Sequence, residues 1–365
     1  MGVDCAYHVQ WRNDAMALSM AAAIVCAKNA KRCDGGHYIL EKCMFKFCAL
    51  LLVLAFVTTA AAPLRLLNYA PEFDRFEEST RSLPPVARVK AFHEKFDRLL
   101  PGMYADEDQA GMDRKIANAL EDFPKIRDAY RRTEQRFPGE LDTAVAHFRK
   151  FFPDFEPPYP IYLLHDVGQR DGGTTTVNGQ HVMLFGADMI ARIHDDDSVQ
   201  PFLEHELFHL EHARHFADCD QYWCQLWKEG LAVYAASVMT PGADDHQLLL
   251  DLPKPIRGPV DANMAGALCF VSANFDSDLP APQKQSFMGG EHPPELPSRF
   301  GYYIGLLTAQ KAMRDHDFAS VARMNNDAAR PVVRAALVEL INDAKAGCAP
   351  PAETSEVTYK TPMSS

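Results

Sequence analysis

The chain has 365 residues, of which 47% are hydrophobic, and it carries a formal net charge of −12 at pH 7. An acidic chain without a basic patch is poorly suited to binding phosphates, so we expect no nucleic-acid partner. The length is sufficient for one large domain or two modest domains with a buried core.

The region around Met44 has the features of a secretory signal peptide. Lys42 and Lys46 give a positive flank, about a dozen apolar residues follow, and the small residues at 58–62 resemble a cleavage region. We expect cleavage rather than membrane anchoring, because a spanning helix needs roughly 20 apolar residues. We therefore predict a protein exported to the periplasm or the extracellular space, with signal peptide 44–62 and no stable membrane span afterwards.

A signal peptide normally stands at the very start of a protein. Residues 1–43 are therefore predicted to be an extension of the gene model, with translation starting at Met44; a genuine but unusual leader is the alternative. Residues 1–62 hold six Lys or Arg and four Asp or Glu, so the rest of the chain carries a net charge of −14.

Four of the nine cysteines follow residue 62, namely Cys219, Cys224, Cys269 and Cys348. In an oxidising compartment four cysteines allow three pairings, and free thiols are the other possibility. A short Cys219–Cys224 loop would constrain the chain just before Glu229.

Between residues 71 and 153, apolar residues recur at three- and four-residue spacing, which predicts helices. The helices are expected over 86–100, 112–137 and 141–152, with breaks at the Pro-Gly pairs 101–102 and 138–139. We interpret residues 63–155 as a helical N-terminal subdomain.

A small β-sheet is predicted next. Residues 160–164 form one strand, and 174–177 with 180–185 form a hairpin closed by Asn178-Gly179, a pair typical of type I′ turns. Helices are predicted over 199–215, 221–239, 263–272, 301–314 and 331–344, followed by a disordered tail over 346–365. The expected fold class is α+β, mainly α, with the small sheet directly before the helix 199–215.

Residues 205–209 read His-Glu-Leu-Phe-His, an HExxH motif within a predicted helix. Positions i and i+4 share one face of a helix, so His205 and His209 can bind one metal ion together. Glu206 points toward the same site without being a ligand, and it can take a proton from a metal-bound water. The alternative is a histidine-rich, solvated helix face.

Zinc usually has three protein ligands and one open position, and two residues compete to be the third. His215 can reach the metal only if the chain leaves the helix at His212, because on a continuous helix it lies about 15 Å along the axis from His205. Glu229 needs only a turn near 217–220, so we prefer it. His212 and His215 are otherwise expected to be solvated or to line the site, and a structural site with four ligands, His212 included, is a further alternative.

Here the chain resembles the gluzincin metallopeptidases, which share HExxH and a glutamate roughly twenty residues later. Lys228-Glu229-Gly230-Leu231-Ala232 is similar to their Asn-Glu-Gly-x-Ala element, with lysine in place of asparagine. Within the group, the chain looks most similar to uncharacterised bacterial predicted Zn-dependent proteases. The resemblance covers roughly residues 160–315, and its central part is the specific one.

The resemblance implies a zincin-like domain over 156–345 that binds one Zn²⁺ ion through His205, His209 and Glu229. It also implies that the hairpin supplies the edge strand that binds the substrate backbone. Thermolysin-like enzymes have an aspartate at the position of Val233 as partner of a zinc histidine, so that partner must come from elsewhere in this chain.

Peptide hydrolysis also needs a donor for the developing oxyanion. Residues 299–305, Arg-Phe-Gly-Tyr-Tyr-Ile-Gly, are the best candidates, and the similar predicted proteases carry a comparable Gly-Tyr-Tyr element. Tyr302 or Tyr303 can donate the hydrogen bond, and Arg299 can bind a substrate carboxylate. Core packing of both tyrosines is the alternative.

We therefore predict an exported zinc metallohydrolase, specifically a metallopeptidase acting on peptides or proteins, with Glu206 as general base. The competing hypothesis is a catalytically silent zincin-fold module for binding or assembly in the cell envelope. The intact Glu206 argues against this hypothesis, because a purely structural site needs no base.

Overall fold

The computed structural model describes residues 65–353, which belong to one compact unit spanning 64–365. The predicted extension (1–43), the predicted signal peptide (44–62) and the end of the predicted tail (354–365) lie outside the described residues. Within the described range, none of the helices is long and apolar enough to cross a membrane.

The described chain is mainly helical and contains one small sheet. The strands are β1 (Leu66–Asn68), β2 (Ile161–Leu164), β3 (Gly172–Val177) and β4 (Gln180–Gly186). The helices are α1 (Ala70–Thr80), α2 (Pro85–Leu99), α3 (Gln109–Phe151), α4 (Ala187–Ile193), α5 (Val199–His212), α6 (Tyr222–Met239), α7 (Arg257–Ala262), α8 (Met264–Asn274), α9 (Pro280–Phe287), α10 (Phe300–Ala312), α11 (Phe318–Ala322) and α12 (Asn326–Asp343). The predicted class, α+β and mainly α, is confirmed.

The four strands form a mixed sheet in the order β1-β2-β4-β3. β1, β2 and β4 run parallel, and β3 pairs antiparallel with β4 at one edge. Asn178 and Gly179 have φ values of 51° and 72°, as a type I′ turn requires, so the predicted hairpin is confirmed. β1 was not predicted, because three residues are too few to display a period.

Helix α3 differs from the prediction, because the Pro138-Gly139 pair does not break it. An interior proline removes a backbone hydrogen bond and costs about 3 kcal/mol. Phe137 and Leu141, on either side of the pair, are buried, and α3 packs against α4 and α5. The predicted break is wrong because this tertiary packing outweighs the local preference of the proline and glycine.

Two disulfides pair the four cysteines of the described region. Cys219–Cys224 joins the turn before α6 to the first turn of that helix, and Cys269–Cys348 joins α8 to the segment after α12. The Nε group of Arg334 also donates to the carbonyl of Pro351. Residues 346–353 are therefore held in place, in contrast to the disordered tail that was predicted there.

Candidate metal centre

Helices α5 and α6 bring His205, His209 and Glu229 together. The two histidine Nε2 atoms lie 3.1 Å apart, and Glu229 Oε2 lies 3.4 Å from that of His205 and 3.6 Å from that of His209. A tetrahedral zinc ion with bonds of about 2.0–2.2 Å separates its ligand atoms by about 3.3–3.6 Å. The donor set therefore fits one such ion, and it is the one potential metal-binding group found among residues 65–353.

The local sequence explains this convergence. His205 and His209 are one turn apart on α5, and the chain turns back before α6 as expected, so Glu229 faces them from the neighbouring helix. Gln225, one turn before Glu229, donates from Nε2 to Glu229 Oε1 at 2.8 Å. This bond occupies one carboxylate oxygen and leaves Oε2 directed at the histidines. Gln225 was not predicted, although its spacing of four residues from Glu229 on one helix was an available signal.

His212 and His215 take no part in this group. His212 is buried, its Nδ1 donates to the carbonyl of Ala322 at 2.9 Å, and its ring stacks on Phe208 and Phe216. His215 Nε2 instead lies 3.8 Å from a carboxylate oxygen of Glu211. The chain after α5 continues in tight turns without a positive φ at His212. The alternatives that used His215 or His212 as a ligand are therefore wrong, as is the expectation that His212 is solvated or lines the site.

The buried position of His212 makes a prediction about acid stability. Burial lowers the pKa of His212 to about 3, against an ordinary value of 6.5. The unfolded chain therefore binds a proton between these pH values while the folded chain does not, and stability falls as the pH drops from 6.5 toward 3. The loss from this residue is up to about 1.4 kcal/mol per pH unit.

The His212→Gln variant is expected to lose stability less steeply with falling pH than the wild type, although it is less stable at pH 7.5. Urea unfolding at pH 7.5, 5.5 and 4.5 measures how the free energy of unfolding of each protein depends on pH. His316→Gln is the control, because it makes the same substitution at an exposed side chain. Parallel pH dependences for the wild type and His212→Gln would contradict the prediction.

Glu206 lies against the first residue of the edge strand β3. A Cβ atom on Gly172 would stand 2.7 Å from Glu206 Cδ and 3.0 Å from Glu206 Oε2, so glycine leaves room for this carboxylate. Burial raises the pKa of Glu206 to about 8, and the negative charges of Asp171 and Glu229 act in the same direction. A carboxyl group with a strongly raised pKa is typical of groups that transfer protons, and the positive charge of a bound metal would lower this pKa and keep the group ionised as a base.

Asp171 fixes the start of the edge strand beside Glu206. Its Oδ1 accepts a hydrogen bond from the Gly172 amide at 3.1 Å, and its Oδ2 lies 3.0 Å from His194 Nε2. His194 is fully buried at the end of α4, and its ring lies 4.1 Å from that of Phe202 on α5. Asp171 and Gly172 were not predicted, although the Asp-Gly-Gly run just before a predicted strand was an available signal.

Tyr302 and Tyr303 take different positions at the start of α10. The Tyr302 ring centroid lies 6.4 Å from that of His205, and burial together with the charge of Glu229 raises the pKa of its hydroxyl. The Tyr303 hydroxyl instead donates to Asp261 Oδ1 at 3.0 Å. Of the two predicted donors, Tyr302 is the one beside the metal centre.

Tyr302 approaches the centre because α6 and α10 cross at two glycines. A Cβ on Gly305 would lie 2.8 Å from the Cα of Gly230 and 2.7 Å from the carbonyl oxygen of Leu226. A Cβ on Gly230 would lie 2.3 Å from the carbonyl carbon of Gly305. These are backbone atoms, so the helices can be this close only with glycine at both positions.

Arg299 lies against Tyr302 next to the candidate metal centre. Its guanidinium carbon lies 4.6 Å from the Tyr302 ring centroid, and its Nη1 donates to the carbonyl of Leu252 at 3.0 Å. The structure thus gathers His205, Glu206, His209 and Glu229 with Tyr302 and Arg299 nearby, and it turns the Tyr303 hydroxyl away. In comparisons with known proteins, no family model, no curated protein and no solved structure matches this chain.

Proposed function

We propose that the chain is an exported, zinc-dependent metallopeptidase of the gluzincin type with a zincin-like core. The observation that carries the proposal is the convergence of two histidine nitrogens and the Glu229 carboxylate at 3.1–3.6 Å. A second carboxylate, Glu206, lies beside this group and is not needed for binding. A site kept only for structure has no use for such a base, which favours an enzyme over a silent binding module.

Three further features support the type of enzyme and its compartment. α5 and α6 present the third ligand from a neighbouring helix, as the gluzincin pattern requires. Strand β3 lies at the edge of the described sheet, and its first residue, Gly172, lies against Glu206. The two disulfides support an oxidising compartment, because such bonds are rare in reducing ones.

In this proposal His205, His209 and Glu229 hold the ion. When bound, zinc supplies Lewis-acid polarisation of a carbonyl and lowers the pKa of water. Glu206 accepts a proton from the attacking water on its carboxylate and delivers it to the leaving amine. The Tyr302 hydroxyl donates to the developing oxyanion, and the free backbone edge of β3 aligns an extended peptide by strand addition.

Metal removal tests this proposal directly. The exported protein is expected to bind one zinc per chain, to hydrolyse members of a peptide library, and to lose both zinc and turnover with a chelator. Added zinc should restore activity, whereas His209→Ala should bind zinc weakly and remain inactive. A chain that carries one zinc and cleaves no peptide would contradict the enzyme, and a chain that binds no zinc would contradict the metal site.

The neighbouring tyrosines provide a matched test of the oxyanion donor. Tyr302→Phe is expected to lower kcat by about 10²-fold or more with little change in KM, because it removes a hydrogen bond made mainly in the transition state. Tyr303→Phe should leave kcat unchanged and cost about 1 kcal/mol of stability through loss of its bond to Asp261. Steady-state kinetics and urea unfolding measure both effects, and equal loss of kcat in the two variants would rule out the assignment of Tyr302.

A further inference from the structure

Two consecutive tyrosines each lie under an arginine, and the two arginines differ in how their charge is satisfied. The guanidinium carbons of Arg257 and Arg299 lie 4.6 Å from the ring centroids of Tyr303 and Tyr302, respectively. Arg257 is paired with Asp245 at 2.7 Å. Arg299 donates to one backbone carbonyl, and between residues 65 and 353 no carboxylate forms an ion pair with it.

The unpaired charge is costly where it stands. Arg299 is partly buried, and a cation removed from water without a counter-charge is unfavourable. Its backbone is left-handed, with φ 64°, which costs about 1–2 kcal/mol for a non-glycine residue. Strained residues of this kind concentrate at functional sites, and an anionic ligand would supply the missing partner.

The position of Arg299 limits how far such an anion can lie from the candidate metal centre. The Tyr302 ring lies 4.6 Å from the guanidinium carbon and 6.4 Å from the His205 ring, so the guanidinium is at most about 11 Å from His205. An extended peptide advances about 3.3–3.6 Å per residue, so a carboxylate bound by Arg299 lies only a few residues from the bond at the candidate metal centre. The Leu252 carbonyl and the Tyr302 hydroxyl each take one of its five N–H donors, and enough donors remain to bind a carboxylate in bidentate fashion.

We propose that Arg299 is a specificity-determining residue that selects peptides with a carboxylate a few residues from the scissile bond. This inference rests on the proposed peptidase function. The carboxylate can be the free C-terminus of a short peptide or the side chain of Asp or Glu, since both present the same two oxygens to the guanidinium.

Three quenched fluorescent peptides of different charge test the inference on the zinc-loaded protein. One ends in a free carboxylate, the second ends in a carboxamide, and the third is the carboxamide with one glutamate beside the scissile bond. The wild type is expected to cleave at least one carboxylate peptide with a kcat/KM about 10- to 100-fold above that of the neutral carboxamide. The first and third peptides distinguish the C-terminus from a side chain as the source.

Variants of the two arginines provide the matched control. Arg299→Met should reduce the ratio between carboxylate and neutral peptides to near one, and Arg299→Lys should keep part of it. Arg257→Met removes the equivalent stacked arginine from the other tyrosine and should leave the ratio unchanged. Equal kcat/KM values of the wild type for all three peptides would overturn the inference while leaving the peptidase proposal standing.

A binding measurement tests the role of Arg299 without requiring peptide hydrolysis. Calorimetry on the zinc-loaded protein compares an N-acetylated dipeptide as free acid and as carboxamide. The acid is expected to bind at least about 10-fold more tightly to the wild type, and Arg299→Met should abolish the difference. If no peptide is hydrolysed the peptidase proposal fails, and equal binding of acid and amide would overturn the role of Arg299 separately.

Discussion

Replacing Glu206 with glutamine is expected to lower peptide hydrolysis by about 10²- to 10⁴-fold and to leave zinc binding nearly unchanged. Glutamine has almost the same shape as glutamate, so it fits beside Gly172 in the space that the carboxylate occupies. Its amide cannot accept a proton from water at neutral pH. Because Glu206 is not one of the three proposed ligands, those side chains should keep their positions and the effect should fall on kcat.

Glu211→Gln is a suitable control for this variant. Glu211 is a fully buried carboxylate on the same helix, and it is paired with Arg214 and Arg323 away from the metal centre. Its replacement should lower stability and leave kcat of the folded protein unchanged. Metal analysis and single-turnover kinetics on both variants are the measurements. Full turnover by Glu206→Gln, or loss of its zinc together with its activity, would contradict the assigned role.

Replacing Gly305 with alanine is expected to cost about 1–3 kcal/mol of stability and to lower kcat as well. The added methyl group would stand 2.7–2.8 Å from backbone atoms of Leu226 and Gly230, and backbone atoms cannot rotate away. The two helices must therefore move apart, which carries Tyr302 away from the metal centre. Alanine favours a helix by up to about 1 kcal/mol over glycine, so the measured loss is a net value.

Gly139→Ala supplies the matched comparison within another helix. Gly139 lies inside α3 with no atom within 4 Å of the position that a Cβ would take. Alanine there should raise stability by up to about 1 kcal/mol and leave kcat unchanged. Urea unfolding and steady-state kinetics separate the two cases. A gain of stability in both variants would show that the α6–α10 crossing tolerates a methyl group.

The centre of the site was predictable because its signals are local. The i, i+4 spacing of His205 and His209 places both on one face, and the return turn before α6 brings Glu229 back to them. The Asn178-Gly179 turn is equally local, since both residues tolerate positive φ. Each of these inferences depends on fewer than about thirty consecutive residues, where periodicity and turn chemistry suffice.

The surroundings of the site were not predictable, because they depend on partners far along the chain. Tyr302 and Tyr303 are neighbours in sequence. They are distinguished only by Asp261 on α7, which accepts a hydrogen bond from the Tyr303 hydroxyl. His212 was expected to be solvated or to line the site, yet it is buried and donates a hydrogen bond to the carbonyl of Ala322 on α11. The continuous α3 and the close crossing at Gly305 likewise follow from packing between distant segments.

Strand β1 limits how far this protein can be shortened from its N-terminal side. β1 pairs with β2 across more than ninety residues of intervening chain, with Leu66 opposite Ile161. β2 is buried along its whole length. A fragment that starts after α3 would lack β1, so the backbone groups along one edge of the apolar strand β2 would be unpaired. Such an edge can pair with other chains and cause aggregation. The segment that carries His205, His209 and Glu229 therefore depends on the N-terminal part of the chain, because β1 is needed to complete the sheet.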